Sequence, residues 1–139
     1  MTRYLLTVNY DGGIFDIPMD QWAPEDAMAH MDYYRVLNEQ LTESGELVGG
    51  IALTSPEVAK IVTAGEAGRT PVVTDGPYAE FKEWLAGYQI IDVESEERAL
   101  EIAAMVSRVP GPGGVPTEQP IGVRRVMDDA DVAAMLPEM

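Results

Sequence analysis

The alternation of strand-like and helix-like segments restricts this chain to a small set of folds. Residues 3–9 alternate as a strand does, and Pro24 begins a segment whose apolar side chains recur at spacings of three and four. This spacing predicts a helix of about five turns, which Gly45 ends. Residues 46–54 return to strand character, and the two adjacent glycines within them predict a bulge or a close backbone approach.

The segment from residue 55 to residue 74 is compatible with two structures. Ser55-Pro56-Glu57 is a favourable helix start, yet Val58, Lys60 and Val62 alternate as strand residues do. The glycine-rich residues 65–68 have the composition of a hairpin loop. We therefore predict an inserted β-hairpin here.

The second half of the chain repeats the strand–helix–strand order. Residues 88–93 alternate as a strand, Ser95 is predicted to cap a helix, and residues 121–126 form a last strand. The predicted apolar face of this helix consists of Ala99, Leu100, Ile102, Ala103 and Val106. A surface loop rich in proline and glycine, residues 109–116, follows the helix.

These patterns predict an α+β fold of two strand–helix–strand halves with a hairpin inserted between them. This is the ferredoxin-like split βαβ arrangement, with an antiparallel sheet and helices on one face. The other face of such a sheet would be wet and partly apolar, and a second subunit would cover it. We expect a homodimer.

Length and composition point to one soluble domain over residues 1–139, with residues 128–139 as an acidic C-terminal tail that could form a short helix. The net charge of −15 disfavours direct binding to nucleic acid, since an acidic surface repels phosphates. Cysteine is absent, and no apolar run has the length of a membrane span. We expect a cytoplasmic protein without a membrane segment.

The stretch Thr74-Asp75-Gly76-Pro77 is the strongest local signal. Two valines predict a strand up to Thr74, and Pro77 suits the first position of a helix. Asp75 then lies just outside that helix, where a carboxylate either caps the helix or faces a ligand. The sequence leaves both interpretations open. Residues 14–22, apolar but aperiodic, are a candidate lid or subunit contact.

The twelve residues Val72-Val73-Thr74-Asp75-Gly76-Pro77-Tyr78-Ala79-Glu80-Phe81-Lys82-Glu83, with the following Leu85-Ala86-Gly87-Tyr88, resemble the YCII-related family in its DGPF-domain branch. The chain departs from the motif at Tyr78, where the branch has Phe, and at Phe81, where Thr is usual. The resemblance implies a ferredoxin-like domain that pairs into a dimeric α/β barrel. It also implies a function that is mostly uncharacterised.

The resemblance offers two functions. One related enzyme is a dehydrochlorinase. By this resemblance, the chain is expected to bind a small molecule and to act as a lyase-like enzyme, with Asp75 in a cleft between sheet and helix. The alternative is a non-catalytic accessory or regulatory module associated with sigma-factor systems, beside which the DGPF branch is often encoded. No cofactor is expected, and the candidate partners are a second copy of the chain and a small anionic or aromatic ligand.

Asp75 and His30 are the candidate catalytic residues. His30 would act as a general base, and the Asp75 carboxylate would orient it. In the compact branch of the family, a histidine stands eleven residues before the helix-ending glycine, where this chain has Tyr34. His30 lies one helical turn earlier, on roughly the same face. The alternative is that Asp75 caps a turn and His30 is an exposed helix residue. Were they paired, the carboxylate would raise the pKa of His30.

Five further residues are candidates for substrate binding: Tyr10, Tyr34, Tyr78, Lys82 and Arg124. The tyrosines would supply stacking surface and hydroxyl groups, or would be core and interface aromatics instead. Lys82 and Arg124 would bind an anionic group, whereas Arg69 and Arg125 are expected to pair with surface carboxylates. The acidic clusters near residues 94–97 and 128–131 suit helix starts and a solvated tail, so no metal site is predicted.

Overall fold

The computed structural model describes residues 1–9, 17, 19–54, 56–75 and 85–136. The elements in these ranges follow the order that the sequence predicts. The strands are β1 (Thr2–Asn9), β2 (Leu47–Ala52), β3 (Lys60–Thr63), β4 (Val72–Asp75), β5 (Leu85–Val93) and β6 (Ile121–Arg125). The helices are α1 (Pro24–Glu43), α2 (Glu96–Ser107) and α3 (Asp129–Met135), and short 3₁₀ turns lie at Met19–Gln21, Pro56–Val58 and Pro112–Gly114.

Four strands form one antiparallel sheet in the order β2-β5-β1-β6. The two strands that flank α1 are therefore not neighbours, because β5 lies between them, and β1 likewise separates the two strands that flank α2. Strands β3 and β4 form a separate two-stranded sheet, which confirms the inserted hairpin. The helix-like start before the hairpin is limited to the 3₁₀ turn Pro56–Val58.

The four-stranded sheet has one buried face. Leu6 of β1 lies in register with Gln89 of β5 and with Val123 of β6, and Tyr4 lies in register with Ile91. The core on this face joins the sheet to both long helices and contains Tyr4, Leu6, Leu37, Leu41, Ile91, Val93, Ala99, Ile102, Ala103 and Val106. Residues that alternate with these, such as Leu5 and Ile90, lie on the opposite face.

The ends of the helices follow from their sequences. Gly45 has a φ of +83°, a conformation that glycine adopts without the steric penalty of a side chain, and it ends α1. The backbone N–H of Glu46 then donates to the Leu41 carbonyl at 2.9 Å. At the start of α2, the Ser95 hydroxyl accepts a hydrogen bond from the Arg98 backbone N–H at 3.1 Å, as predicted.

The adjacent glycines of β2 produce both features that were predicted as alternatives. The pairing of β2 with β5 shifts register between Leu47 and Gly49, which is a bulge. A Cβ atom on Gly50 would lie 2.8 Å from the Tyr88 carbonyl oxygen, so the backbones of β2 and β5 approach closely there.

Several apolar positions of the two long helices lie outside the core. Leu100, which we placed on the apolar face of α2, is 52% exposed, because it lies on the side of the helix away from the sheet. Met28 is 72% exposed near the start of α1, where the helix extends beyond the core.

The mixed α+β class and the antiparallel sheet are confirmed. The sheet of the single chain is open and has two edges, β2 and β6, so it is not a closed barrel. Among the described residues, no helix has both the length and the apolar character that a membrane span requires.

Candidate functional site

A cavity of about 510 Å³ lies between α1 and the β2–β5 side of the sheet. Its volume is within the range of pockets that hold small molecules. Most of its described lining is apolar, with residues from β1, β2, β5 and α1 and from the turn before α1. The lining residues are Val8, Met19, His30, Met31, Tyr34, Asn38, Leu47, Gly50, Ile51, Ala52, Leu53, Ala86, Gly87, Tyr88 and Gln89.

Three of the polar lining residues come from one face of α1. His30, Tyr34 and Asn38 follow each other at intervals of four residues, so their side chains form a row along the helix. Four residues of helix advance about 6 Å, so the row spans roughly 12 Å. The cavity therefore has polar groups at both ends of an apolar lining.

His30 is oriented by the backbone of the loop that follows α2. Its Nδ1 atom lies 2.9 Å from the carbonyl oxygen of Pro110. A carbonyl oxygen only accepts hydrogen bonds, so Nδ1 carries the proton and the neutral ring keeps its lone pair on Nε2. Within the described part of the chain, Nε2 has no hydrogen-bond partner. Nε2 is therefore available as a hydrogen-bond acceptor.

Burial controls the protonation of His30. Desolvation lowers the pKa of the imidazole below its ordinary value of 6.5, and the hydrogen bond to the Pro110 carbonyl offsets only part of this effect. The ring is flanked by Trp22 and Tyr34, each with its ring centre 5.3 Å away in an edge-to-face arrangement. His30 is thus a neutral acceptor near pH 7.

Tyr34 is a donor at the same site. Burial raises the pKa of its hydroxyl to about 12, and the neighbouring Tyr33 adds to the rise. The phenol therefore keeps its proton at neutral pH. Its hydroxyl makes no hydrogen bond with any residue that the structure describes.

Two amides form the polar end of the cavity opposite His30. Gln89 Nε2 donates to Asn38 Oδ1 at 2.6 Å, which joins β5 to α1. Gln89 is only 8% exposed. The pair is a part-buried hydrogen-bonded contact whose remaining amide atoms are not bonded to described residues.

The proline- and glycine-rich loop is anchored to α1 at two points. Besides the bond from His30 to Pro110, the backbone N–H of Gly113 donates to Asp26 Oδ2 at 3.1 Å. The loop also closes on itself through a bridge between Pro110 and Pro116. This loop, which the sequence predicted only as a surface connection, therefore fixes the orientation of the one histidine.

Comparison with known families decides what kind of protein this is. The profile of the YCII-related domain matches residues 3–118, which is most of the chain. The chain belongs to the YCII-related family. The resemblance inferred from the motif at residues 72–83 is thereby confirmed at the level of the family.

A curated relative of this YCII-related chain is an uncharacterised protein of Rhizobium meliloti (strain 1021). The two are 35% identical over 86 residues, which cover 62% of this chain and 68% of the relative. The name of that protein assigns it no activity, so the comparison supports the family and leaves the chemistry to the site itself.

The structure places Asp75 in the hairpin of this YCII-related protein. It lies in register with Lys60 on the neighbouring strand and forms an ion pair with the lysine ammonium group. The hydrogen bond from Lys60 lowers the pKa of the Asp75 carboxyl, whose side chain is 84% exposed. Asp75 makes no hydrogen bond to His30 and does not line the cavity. Its catalytic role stays a prediction.

The predicted binding residues have different positions. Tyr34 lines the cavity, whereas Arg124 lies in register with Leu5 on the face away from the helices and is exposed. Tyr10, Tyr78 and Lys82 lie outside the described residues, as does the predicted helix start at Pro77.

Two arginines make the surface contacts expected of them. Arg125 pairs with Asp131 at 2.6 Å, and Arg69 pairs with Glu66 at 3.4 Å. The predicted helix of the acidic tail is α3, which begins with a capping box between Asp128 and Asp131.

Sequence reasoning missed Asn38, Gln89 and the Pro110 carbonyl. A usable signal existed for the two amides, because Gln89 is polar at a position where strand alternation predicts burial, and Asn38 continues the row of His30 and Tyr34. No signal pointed to the carbonyl, since every residue has one and only the path of the loop brings this one to His30.

Proposed function

We propose that this YCII-related protein binds a small uncharged aromatic molecule in the cavity between α1 and the sheet, and that His30 accepts a proton from it. The observation that carries the proposal is the free Nε2 atom of His30 in a largely apolar cavity of about 510 Å³. The family resemblance, in which one related enzyme is a dehydrochlorinase, adds a reaction class, since removal of a proton is the first requirement of many eliminations.

The lining favours a ring system over a flexible polar ligand. Methionine, leucine and valine side chains cover much of the wall, and Tyr34 and Trp22 surround the imidazole. Aromatic ligands bury large apolar areas and pack edge to face against such rings. A hydroxyl group on the ring would donate to His30 Nε2.

Charge favours a neutral ligand. No lysine or arginine is among the described lining residues, and the whole chain has a net charge of −15. An anion would enter this apolar cavity without a compensating cation, and burying an unpaired charge costs far more than the roughly 2–7 kcal/mol known for an unpaired neutral polar group. Of the two ligand classes expected from the sequence, anionic and aromatic, the site favours the second.

The test uses 2-naphthol and its methyl ether, 2-methoxynaphthalene, as probes. Both fit the same apolar space, but only 2-naphthol has a proton to donate. We expect 2-naphthol to bind wild-type protein roughly tenfold more tightly in calorimetry, which corresponds to one hydrogen bond of about 1.4 kcal/mol. In His30→Leu the two probes should bind equally.

Glu39→Gln, on the exposed side of the same helix, is the matched control and should keep the wild-type preference. The anion 2-naphthoate should bind more weakly than 2-naphthol. If wild-type protein binds neither naphthalene, or prefers the anion, the proposal is wrong.

We also propose that a second copy of the chain covers the face of the sheet opposite the helices. Leu5, Thr7 and Ile90 lie on this face, and the helices leave it uncovered. Burying such a face is what a dimeric α/β barrel would require. Sedimentation should give a dimer for wild type and for the hairpin control Val62→Lys, and a monomer for Ile90→Lys.

A further inference from the structure

The amide pair Asn38–Gln89 lies at the end of the cavity away from His30. We infer that Asn38 and Gln89 recognise an uncharged group that carries a hydrogen-bond donor and an acceptor side by side, such as a lactam or a primary amide. This inference rests on the proposed function, because it assigns a second recognition point to the same ligand.

Each amide of the pair has a hydrogen-bonding atom that the bond between them does not use. A primary amide offers an oxygen acceptor and an NH₂ donor. The bond from Gln89 Nε2 to Asn38 Oδ1 uses one N–H and one lone pair, and the two amide atoms that it leaves without any bond are Gln89 Oε1, an acceptor, and Asn38 Nδ2, a donor. If both amides were rotated by half a turn, the pair would still leave one acceptor and one donor. The complementarity therefore does not depend on how the amides are oriented.

Both residues line the cavity, and within the described part of the chain neither amide has a further partner. Their free atoms are not among the fully enclosed unpaired atoms of the described residues, so they are not sealed inside the protein. A ligand that enters can reach them.

A ligand group that satisfies both atoms must offer a donor to Gln89 Oε1 and an acceptor to Asn38 Nδ2. A carboxylate only accepts hydrogen bonds and would leave Gln89 Oε1 facing a negative charge, and an ammonium group only donates. A neutral cis-amide edge has an N–H for Gln89 Oε1 and a C=O for Asn38 Nδ2. A site with buried groups of this kind discriminates strongly against ligands that lack one of them.

The rigidity of the pair supports a recognition role. Asn38 is fixed on α1 and Gln89 on the central strand β5, so both amides are held by regular secondary structure before the ligand arrives. Groups that are held in place lose little conformational entropy on binding. Gln89 and Asn38 are thus specificity-determining residues rather than proton-transfer groups, since amides do not titrate.

The experiment compares isoquinolin-1(2H)-one, a neutral aromatic lactam, with its N-methyl derivative, which keeps the carbonyl and loses the N–H. We expect the lactam to bind wild-type protein on the order of tenfold more tightly in calorimetry. The double variant Asn38→Leu with Gln89→Met removes both amides together, so no buried amide is left unpaired. In this variant the two compounds should bind equally, while 2-naphthol still binds more tightly than 2-methoxynaphthalene, because that preference depends on His30.

Three outcomes decide the matter. Equal binding of the two compounds to wild-type protein, with 2-naphthol bound normally, overturns the inference and leaves the proposed function intact. Failure of all three compounds to bind overturns the proposed function and the inference with it. If the double variant does not give a cooperative thermal transition, the comparison on wild-type protein alone decides, because it requires no substitution.

Discussion

His30 Nδ1 and the carbonyl oxygen of Pro110 lie 2.9 Å apart, although 80 positions separate the residues in the chain. The contact ties the first helix to the loop after the second helix, and it leaves Nε2 without a partner among the described residues. The Pro110 carbonyl thus performs the orienting role that the sequence assigned to a carboxylate.

The tautomer of His30 is directly measurable, because the chain has a single histidine. We expect ¹⁵N spectra of the imidazole to show a protonated Nδ1 and an unprotonated Nε2 near pH 7. The same titration should give a pKa below the ordinary 6.5, since burial disfavours the charged ring. A pKa above 6.5 would instead indicate a carboxylate partner and would support the predicted pairing with Asp75.

The lowered pKa of His30 predicts how stability depends on pH. The folded state binds fewer protons than the unfolded state between the folded pKa and 6.5, so the wild type loses stability as pH falls through this window. Below the folded pKa the loss levels off. Urea unfolding of wild type and His30→Gln across this range should show the difference, because glutamine does not titrate. A relative gain of wild-type stability on acidification would contradict the assignment.

The two adjacent glycines of β2 should respond differently to the same substitution. In Gly50→Ala the new Cβ would lie 2.8 Å from the Tyr88 carbonyl oxygen, a backbone atom that cannot move aside. We expect a loss of about 1–3 kcal/mol in the free energy of unfolding. Gly49→Ala is the matched control, since no atom lies within 4 Å of its Cβ position. Equal effects at both positions would show that the close approach of β2 and β5 is absent.

Arg98 links α2 to the start of β2. Its guanidinium donates to both carboxylate oxygens of Glu46, at 2.8 and 3.0 Å, and this lowers the pKa of Glu46 below its ordinary 4.5. Arg98→Met should cost about 1 kcal/mol near neutral pH, the upper end for a partly exposed pair. The cost should shrink as pH falls below 4.5 and through the lowered pKa of Glu46, because the carboxyl is then protonated in wild type as well as in the variant. Chemical denaturation at several pH values checks both statements.

Asp75 offers a test of the predicted catalytic pair. Its carboxylate forms an exposed ion pair with Lys60 and does not line the cavity, so Asp75→Asn should leave the melting temperature and the pKa of His30 unchanged. Lys60→Gln, which removes the other half of the ion pair, is the control. A shift in the His30 titration in Asp75→Asn alone would place the carboxylate near the imidazole.

Much of the secondary structure could be predicted from the sequence, because local rules decide it. The three-and-four spacing after Pro24 and the glycine at position 45 predicted the length of α1, and Ser95 predicted the start of α2. The inserted hairpin also followed from a local pattern. The exposure of Leu100 was wrongly predicted because periodicity gives a helix face only approximately.

The sequence by itself determined the α+β class, the order of the elements and the family, since these depend on residue spacing and on a contiguous motif. Only the tertiary structure decided which polar groups meet. Asn38 and Gln89 are 51 positions apart in the chain. His30 bonds to a backbone carbonyl, a group that every residue has and that the residue type therefore does not identify. Contacts of this range depend on how the helix packs on the sheet and where the loop turns back, and no local pattern records either.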